Sequence, residues 1–428
     1  MPAAAPSATP RVVVAGVGLI TPLGQSAWQT FAALLQGRRL TDRVDGLETH
    51  TQPVPLVQAL GGVSIARHTA TDPTVELAER AAREACGEAN VPLADLPTWL
   101  GTSKGAVAAM SDGAWWAADG KSREAEGVLP RRQVSQRLAE AVALGPHGYL
   151  THHLAARTGL DVRRHTVAAC ASSLTALHQA RLALLNPKSS IQNPKSSYAL
   201  VLTSEAALLP GFIHSYRRLG VLATMNLDDY RQAPLDESRQ GFTLSEVGAA
   251  VLLKRLAPGE AIPAGAIELV DTAIATEADD LIRPSGRMEA LGVVASQMFG
   301  ERRIAALHPH APGTADHDPT ELRVLADLLN QRQHPFHEAP GSTVPAVYAN
   351  KGALGHSLGS AGLVSFVLAS LVARTGKLPP MPWLTQPMRN APLPLTTTPS
   401  LENRSGSHAI FAAGFGGHVA GALIQRGG

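Results

Sequence analysis

Cysteine is scarce in this chain: its 428 residues contain two, Cys86 and Cys170. Two thiols exclude a disulfide framework and a cysteine-based zinc cage, and they fit a reducing, cytoplasmic compartment in which one thiol is free to react. An excess of one charge is also missing. The 37 basic and 35 acidic side chains leave a net charge of +2, which gives no electrostatic basis for nucleic acid or an anionic membrane as partner. No run of apolar residues reads as long enough to cross a bilayer. Residues 12–23 are apolar enough for the core of a signal peptide. They carry Gly16, Gly18 and Pro22, no basic opening precedes them and no small-residue cleavage site follows, so a buried first strand and turn is the better reading. What is present is ample core material, 45% apolar against 17% charged residues, which excludes wholesale disorder. The length suits two domains or one large duplicated fold, with residues 1–10 a loose Ala/Pro-rich tail.

Strand and helix patterns alternate along the chain. Residues 11–16 are a β-rich run and residues 26–36 read as a helix. In residues 72–89, Val75, Leu77, Ala78, Ala81, Ala82 and Ala85 are spaced for an amphipathic helix, introduced by Asp72 and Pro73 as cap and first-turn residues. Continuous apolar runs at residues 198–203, 247–256 and 267–274 mark strands buried on both faces. This alternation predicts an α/β fold. The Pro/Gly-rich residues 258–265 form the candidate junction between two halves. NPKSSIQNPKSS (residues 186–197), a tandem repeat seven residues apart, reads as a duplicated surface loop, and Trp115 with Trp116 as part of an insertion.

Several short motifs compete as carriers of chemistry. Gly16-Val17-Gly18 opens like a dinucleotide fingerprint, but Thr21 stands where the third glycine belongs and no acidic residue is suitably placed, so it is set aside. Gly101-Thr102-Ser103-Lys104-Gly105 matches a G-x-S-x-G nucleophile elbow; in a Gly-rich chain the pattern arises readily by chance, and a turn that needs small residues is preferred. His308, His310, Asp316, His317 and Asp318 can be drawn as a metal site, yet nothing specifies the remaining ligands, and no metal is expected. The strongest signal is TVAACASSLTAL (residues 166–177), which would place the Cys170 thiol at a helix N-terminus. The dipole and free backbone N–H groups there favour a thiolate nucleophile. The competing reading is a buried structural cysteine.

A resemblance decides between them. RVVVAGVGLITPLG (11–24), AACASSLTAL (168–177), APLDESRQGFTLSEVGAAVLL (233–253), PHAPGTADHDPTE (309–321), NKGALGHSLGSAG (350–362) and AGFGGHVAGALI (413–424) resemble, in order, the motifs of the β-ketoacyl-acyl carrier protein synthases, members of the thiolase-like condensing enzymes. The resemblance implies a five-layered αβαβα fold of two similar halves, residues 11–257 and 266–428, with the active site between them. Cys170 would take an acyl chain from a carrier thioester. His310 and His356 would hold the malonyl thioester as it loses carbon dioxide, and Lys351 would support them, with Glu321 its partner and Asp318 and Thr314 as supporting residues. The backbone N–H groups of Cys170 and Phe415 would form the oxyanion hole, with the Phe415 side chain as gate and Met110 lining the acyl pocket. No cofactor is implied beyond the phosphopantetheine of an acyl carrier protein. That carrier is the implied partner, together with a second ketosynthase-like chain in a homodimer or heterodimer.

Three departures from the family pattern stand out. Pro312 replaces a threonine that helps to bind the phosphopantetheine arm and offers neither hydroxyl nor N–H. Gln240 replaces an aspartate, and the chain closes Gly414-Phe415-Gly416-Gly417-His418-Val419-Ala420 in place of Gly-Phe-Gly-Gly-Thr-Asn-Ala. The alternatives are a non-catalytic, chain-length-determining partner subunit, which usually lacks the nucleophile, and a thiolase, which needs a second catalytic cysteine that this chain lacks after Cys170.

Overall fold

The computed structural model describes residues 9–39, 72–110, 131–186, 197–223, 232–281, 285–332, 344–399, 401 and 406–428. Trp115, Trp116 and most of the NPKSS repeat lie outside these residues. In chain order the elements are β1 (Arg11–Ile20), α1 (Ala27–Leu35), α2 (Pro73–Glu88), β2 (Pro97–Gly101), α3 (Arg131–Thr158, broken at Gly145), β3 (Asp161–Thr166), α4 (Ser172–Leu185), β4 (Tyr198–Glu205) and α5 (Pro210–Arg218). They continue with β5 (Val247–Leu256), β6 (Ile267–Thr276), α6 (Glu289–Phe299), β7 (Ile304–His308), α7 (His317–Arg332), β8 (Ala346–Val347), α8 (Lys351–Leu354), α9 (Ala361–Thr375), β9 (Ser407–Gly414) and β10 (His418–Arg426).

Local chemistry sets these elements. The Ser26 side chain caps α1 through Gln29 N (3.1 Å). The Asp72 carboxylate caps α2 through Thr74 N and reaches Ala109 N, both at 2.8 Å, which satisfies amides that the first helical turn leaves open. The glycines of the Gly16-Val17-Gly18 run have a packing purpose. A Cβ at either would lie about 2 Å from a carbonyl oxygen of α2, Ala85 O or Ala81 O, so only glycine lets that helix lie directly on β1.

The strand order β3-β2-β4-β5-β1-β6-β10-β9-β7-β8 reads as one five-strand pattern repeated. In each half a parallel trio is followed by two antiparallel strands: β2 pairs β3 and β4, then β5 and β1 follow, and β7 pairs β8 and β9, then β10 and β6 follow. The halves meet along a short β1–β6 seam, Val13 opposite Glu268 and Val14 opposite Ile267. Helix α2 covers the outer face of the first half and α6, backed by α7, that of the second. Between the halves lie α4 and α9, which touch each other and strands of both. This is the five-layered αβαβα arrangement.

One sequence expectation needs correction. The stretch Leu358–Thr375 does reach membrane-spanning length and apolarity, with a mean hydropathy of 1.5, but 89% of it is buried inside the protein. It is the central core helix α9 with its leading turn. Gly359, Ser360, Gly362, Ser365 and Ser370 interrupt the apolar run in sequence, and all five are buried against neighbours.

Candidate active site

Three loops bring the chemistry together. The first carries Cys170 between β3 and α4. Ala169 adopts a left-handed φ of 46°, strained for a residue with a Cβ. The Ser172 hydroxyl fastens the turn, accepting from Ala168 N (2.8 Å) and donating to Ala169 O (2.6 Å). The second loop follows β7. Glu321 accepts from His310 N (2.6 Å) and Ala311 N (2.8 Å), while Asp318 accepts from Gly313 N (3.0 Å) and Leu235 N (2.9 Å). Two carboxylates on the first turns of α7 thus hold the loop that presents His310. The third loop runs from Lys351 to His356, where His356 N donates to Thr243 O (2.6 Å) and His356 O accepts from Ser245 N (3.1 Å).

The Cys170 sulfur and one nitrogen from each of the His310 and His356 rings lie within 4.8 Å of one another. The two imidazoles meet edge to face, 5.2 Å between centroids. All three residues border a cavity of about 280 Å³, with Thr314, Pro312 and Phe415 on its wall. Gly414 lies so close to the nucleophile that a Cβ there would stand 2.7 Å from Cys170 N. Lys351, Glu321 and Asp318 sit behind this surface, buried. The expected pairing of Lys351 with Glu321 takes an indirect form: the Lys351 ammonium donates to His310 O, and Glu321 holds the amide of the same residue.

The electrostatics fix the protonation states. Burial pushes the His310 and His356 pKa values well below the usual histidine range, and the Lys351 charge adds to the effect, so both imidazoles are neutral near pH 7. His356 Nδ1 accepts from Leu358 N (2.9 Å). Its proton therefore resides on Nε2, and that nitrogen acts as a donor. A metal would need a lone pair there, so the Cys-His-His spacing fits hydrogen-bond donation better than ligation. Burial lowers Lys351 to about 8, opposed by Glu321. Glu321 itself is lowered, because His317 and the backbone amides outweigh its burial, and burial raises Asp318 to about 6. Cys170 departs from the eased ionisation expected of a helix N-terminus. Burial lifts its thiol to about 12, against the pull of Lys351 and Lys104, so the resting sulfur is protonated.

Other sequence candidates fall elsewhere. Met110 packs in the apolar cluster under α2, among Leu100, Ala106 and Leu150, and is not on the cavity wall. His308 turns to His408, ring stacked on ring with His308 Nε2 3.3 Å from His408 Nδ1, and Asp318 is committed to amides, which dissolves the imagined metal cluster. The Ser103 turn does not form a hydrolase elbow: Ser103 N donates to the buried Glu205 carboxylate, beneath Gly359. Glu205 and Lys104 are the site neighbours that motif reading missed; the Gly101–Gly105 motif contains Lys104, and no motif marked Glu205.

A thiol and two neutral imidazole donors on one cavity, between the halves of a duplicated five-layered fold, define a thiolase-like condensing enzyme. The comparisons agree. The family pattern "Beta-ketoacyl synthase, N-terminal domain" matches residues 9–258, and "Beta-ketoacyl synthase, C-terminal domain" matches residues 265–385. The chain belongs to the β-ketoacyl synthase family, the acyltransferases that form carbon–carbon bonds. Among its relatives is 3-oxoacyl-[acyl-carrier-protein] synthase 2 of Mycobacterium tuberculosis, 26% identical over 394 residues, 87% of each chain. The 6-methylsalicylic acid synthase of Aspergillus niger is 30% identical over 227 residues, 50% of this chain and 12% of that one. Among solved structures, a type II polyketide ketosynthase in complex with its acyl-carrier protein superimposes with a TM-score of 0.75 at 17% identity, covering 98% of this chain and 99% of that one. The ishigamide ketosynthase/chain length factor gives 0.73 at 19% identity, covering 98% and 100%.

Proposed function

We propose that this protein is a β-ketoacyl-acyl carrier protein synthase working in fatty acid or polyketide-type synthesis. In the first half-reaction the Cys170 sulfur attacks the carbonyl carbon of an acyl-carrier thioester. A new C–S bond forms, the bond to the phosphopantetheine sulfur breaks, and the Cys170 proton leaves with the released arm thiol. In the second, a malonyl thioester loses carbon dioxide. The electron pair of the broken C–C bond delocalises onto the thioester oxygen, where His310 and His356 donate hydrogen bonds. The resulting carbanion attacks the acyl-Cys170 carbonyl and the Cys170 thiolate departs, leaving the β-ketoacyl chain on the carrier. The amides of Cys170 and Phe415 serve as the oxyanion hole, the Phe415 side chain as gate, and Thr314 as a contact for the arm.

The observation that carries this reading is the pair of neutral imidazoles facing the sulfur across one cavity. Aimed donors of this kind are worth on the order of a hundredfold each where charge develops, and a shared dry pocket adds proximity. The halves are residues 11–257 and 266–428 behind a short tail; the mirrored strand order and the two family matches support this division. The two free thiols, Cys86 and Cys170, support a cytoplasmic setting, and the carrier-bound relatives support an acyl carrier protein and a dimeric ketosynthase assembly as partners.

Intact-protein mass spectrometry after incubation with acyl-loaded carrier protein tests the reading. Wild type gains the acyl mass and Cys170→Ala does not. His356→Ala still gains it and condenses with malonyl carrier about a hundredfold more slowly. A folded wild-type protein that takes no acyl group from any carrier would instead be a non-catalytic partner subunit.

A further inference from the structure

Phe415 and Phe242 stand on the cavity wall and belong to an apolar cluster that also includes Val107, Leu208, Ile213, Tyr216 and Leu222. Its aromatic members lead to the reaction centre. Tyr216 stacks on Phe415 (6.5 Å between centroids) and meets Phe242 edge-on (6.0 Å), and Phe242 lies 4.6 Å from the His356 ring. A wall of this kind suits a hydrocarbon chain attached to Cys170.

One group does not fit such a wall. The Lys104 ammonium stands 5.7 Å from the centroids of both Phe212 and Tyr216, and it is near enough to favour the Cys170 thiolate. Among the described residues no carboxylate lies within ion-pairing distance of it. The buried Glu205 carboxyl accepts from the backbone amides of Ser103 and Lys104 and feels the Lys104 charge without forming an ion pair with it. A half-buried cation whose contacts are two ring faces keeps unused hydrogen-bonding capacity on its three N–H groups. For a plain alkyl chain, a methionine or leucine here would pack equally well without the cost of removing a charge from water. An acyl group that ends in an anion offsets that cost directly.

We propose that Lys104 is a specificity-determining residue that selects acyl groups bearing a carboxylate beyond the thioester, so that the preferred acyl donors are monothioesters of dicarboxylic acids. The inference rests on the condensing function proposed above and narrows its substrate class.

The test measures the rate at which Cys170 gains mass from the N-acetylcysteamine thioesters of glutarate and pentanoate, which have equal carbon counts. Wild type should load glutaryl about tenfold faster than pentanoyl. Lys104→Met should lose that advantage, read as the glutaryl-to-pentanoyl ratio within the variant because loss of the Lys104 charge makes Cys170 harder to ionise for both donors; measurable pentanoyl loading shows that the variant is folded with a working nucleophile. Lys104→Arg, which keeps the charge, should retain most of the preference. A wild-type protein that loads pentanoyl as fast as glutaryl overturns the inference and leaves the condensing function standing, and so does a glutaryl preference that survives in Lys104→Met. Failure of wild type to load either thioester, or acyl groups from carrier protein, removes the condensing reading and this inference with it.

Discussion

A few single atoms decide what the site can do. The proton of His356 sits on Nε2 because Leu358 N occupies Nδ1, and the His310 peptide is held from both sides by Glu321 and Lys351. Glu205, buried against the Ser103 turn, has a measurable signature. Burial raises its carboxyl from 4.5 to about 7, opposed by the Ser103 amide. The folded protein therefore binds a proton there that the unfolded chain releases, and stability falls as pH rises from about 4.5 to 7. The loss is at most about 3 kcal/mol. Glu205→Gln lacks this titration, so in urea unfolding wild type should lose stability relative to the variant between pH 5 and pH 8; equal losses would refute the burial argument. Cys170, His310, His356 and Phe415 were legible in the sequence because short motifs surround them. Lys104 and Glu205 were not, since their proximity to the sulfur comes from β2 and β4 lying side by side, which local pattern does not encode.

The site depends on how closely two helices approach. Leu363 N donates to Ser173 Oγ (3.0 Å), joining the first turns of α9 and α4, and a Cβ at Gly362 would lie 2.6 Å from Leu174 Cγ. The Cys170 turn leads into α4 and the His356 loop into α9, so this contact sets the distance between nucleophile and imidazole. Gly362→Val should force the helices apart at a cost of about 1–3 kcal/mol. Because a shift of about 1 Å at reacting groups typically costs on the order of a hundredfold, condensation should fall by that order while far-ultraviolet circular dichroism stays native. Unchanged turnover would show that the contact does not set the geometry. In sequence, α2 could be read from its apolar spacing and its Asp72-Pro73 start. Helix α9 was hidden by the small residues that let it pack on both sides.

The molecule repeats one strand pattern twice, yet α4 and α9 lie against strands of both halves, so neither half has a complete core alone. Denaturant unfolding should accordingly be a single cooperative transition, with backbone and aromatic signals coinciding; separate midpoints would mean that the halves fold independently. The sequence offered residues 258–265 as a candidate junction between two halves. It could not show their mirrored strand order, because Val12, Val13 and Val14 of β1 and Ile267 and Leu269 of β6 fill equivalent places with different side chains and no visible repeat. The enclosure that joins the halves also governs how the enzyme ages. Oxidants such as peroxide attack thiolate, not thiol, and the resting Cys170 is buried and protonated, its pKa near 12. An idle enzyme should thus form sulfenic acid slowly, its sulfur reacting faster in the interval between product departure and reprotonation.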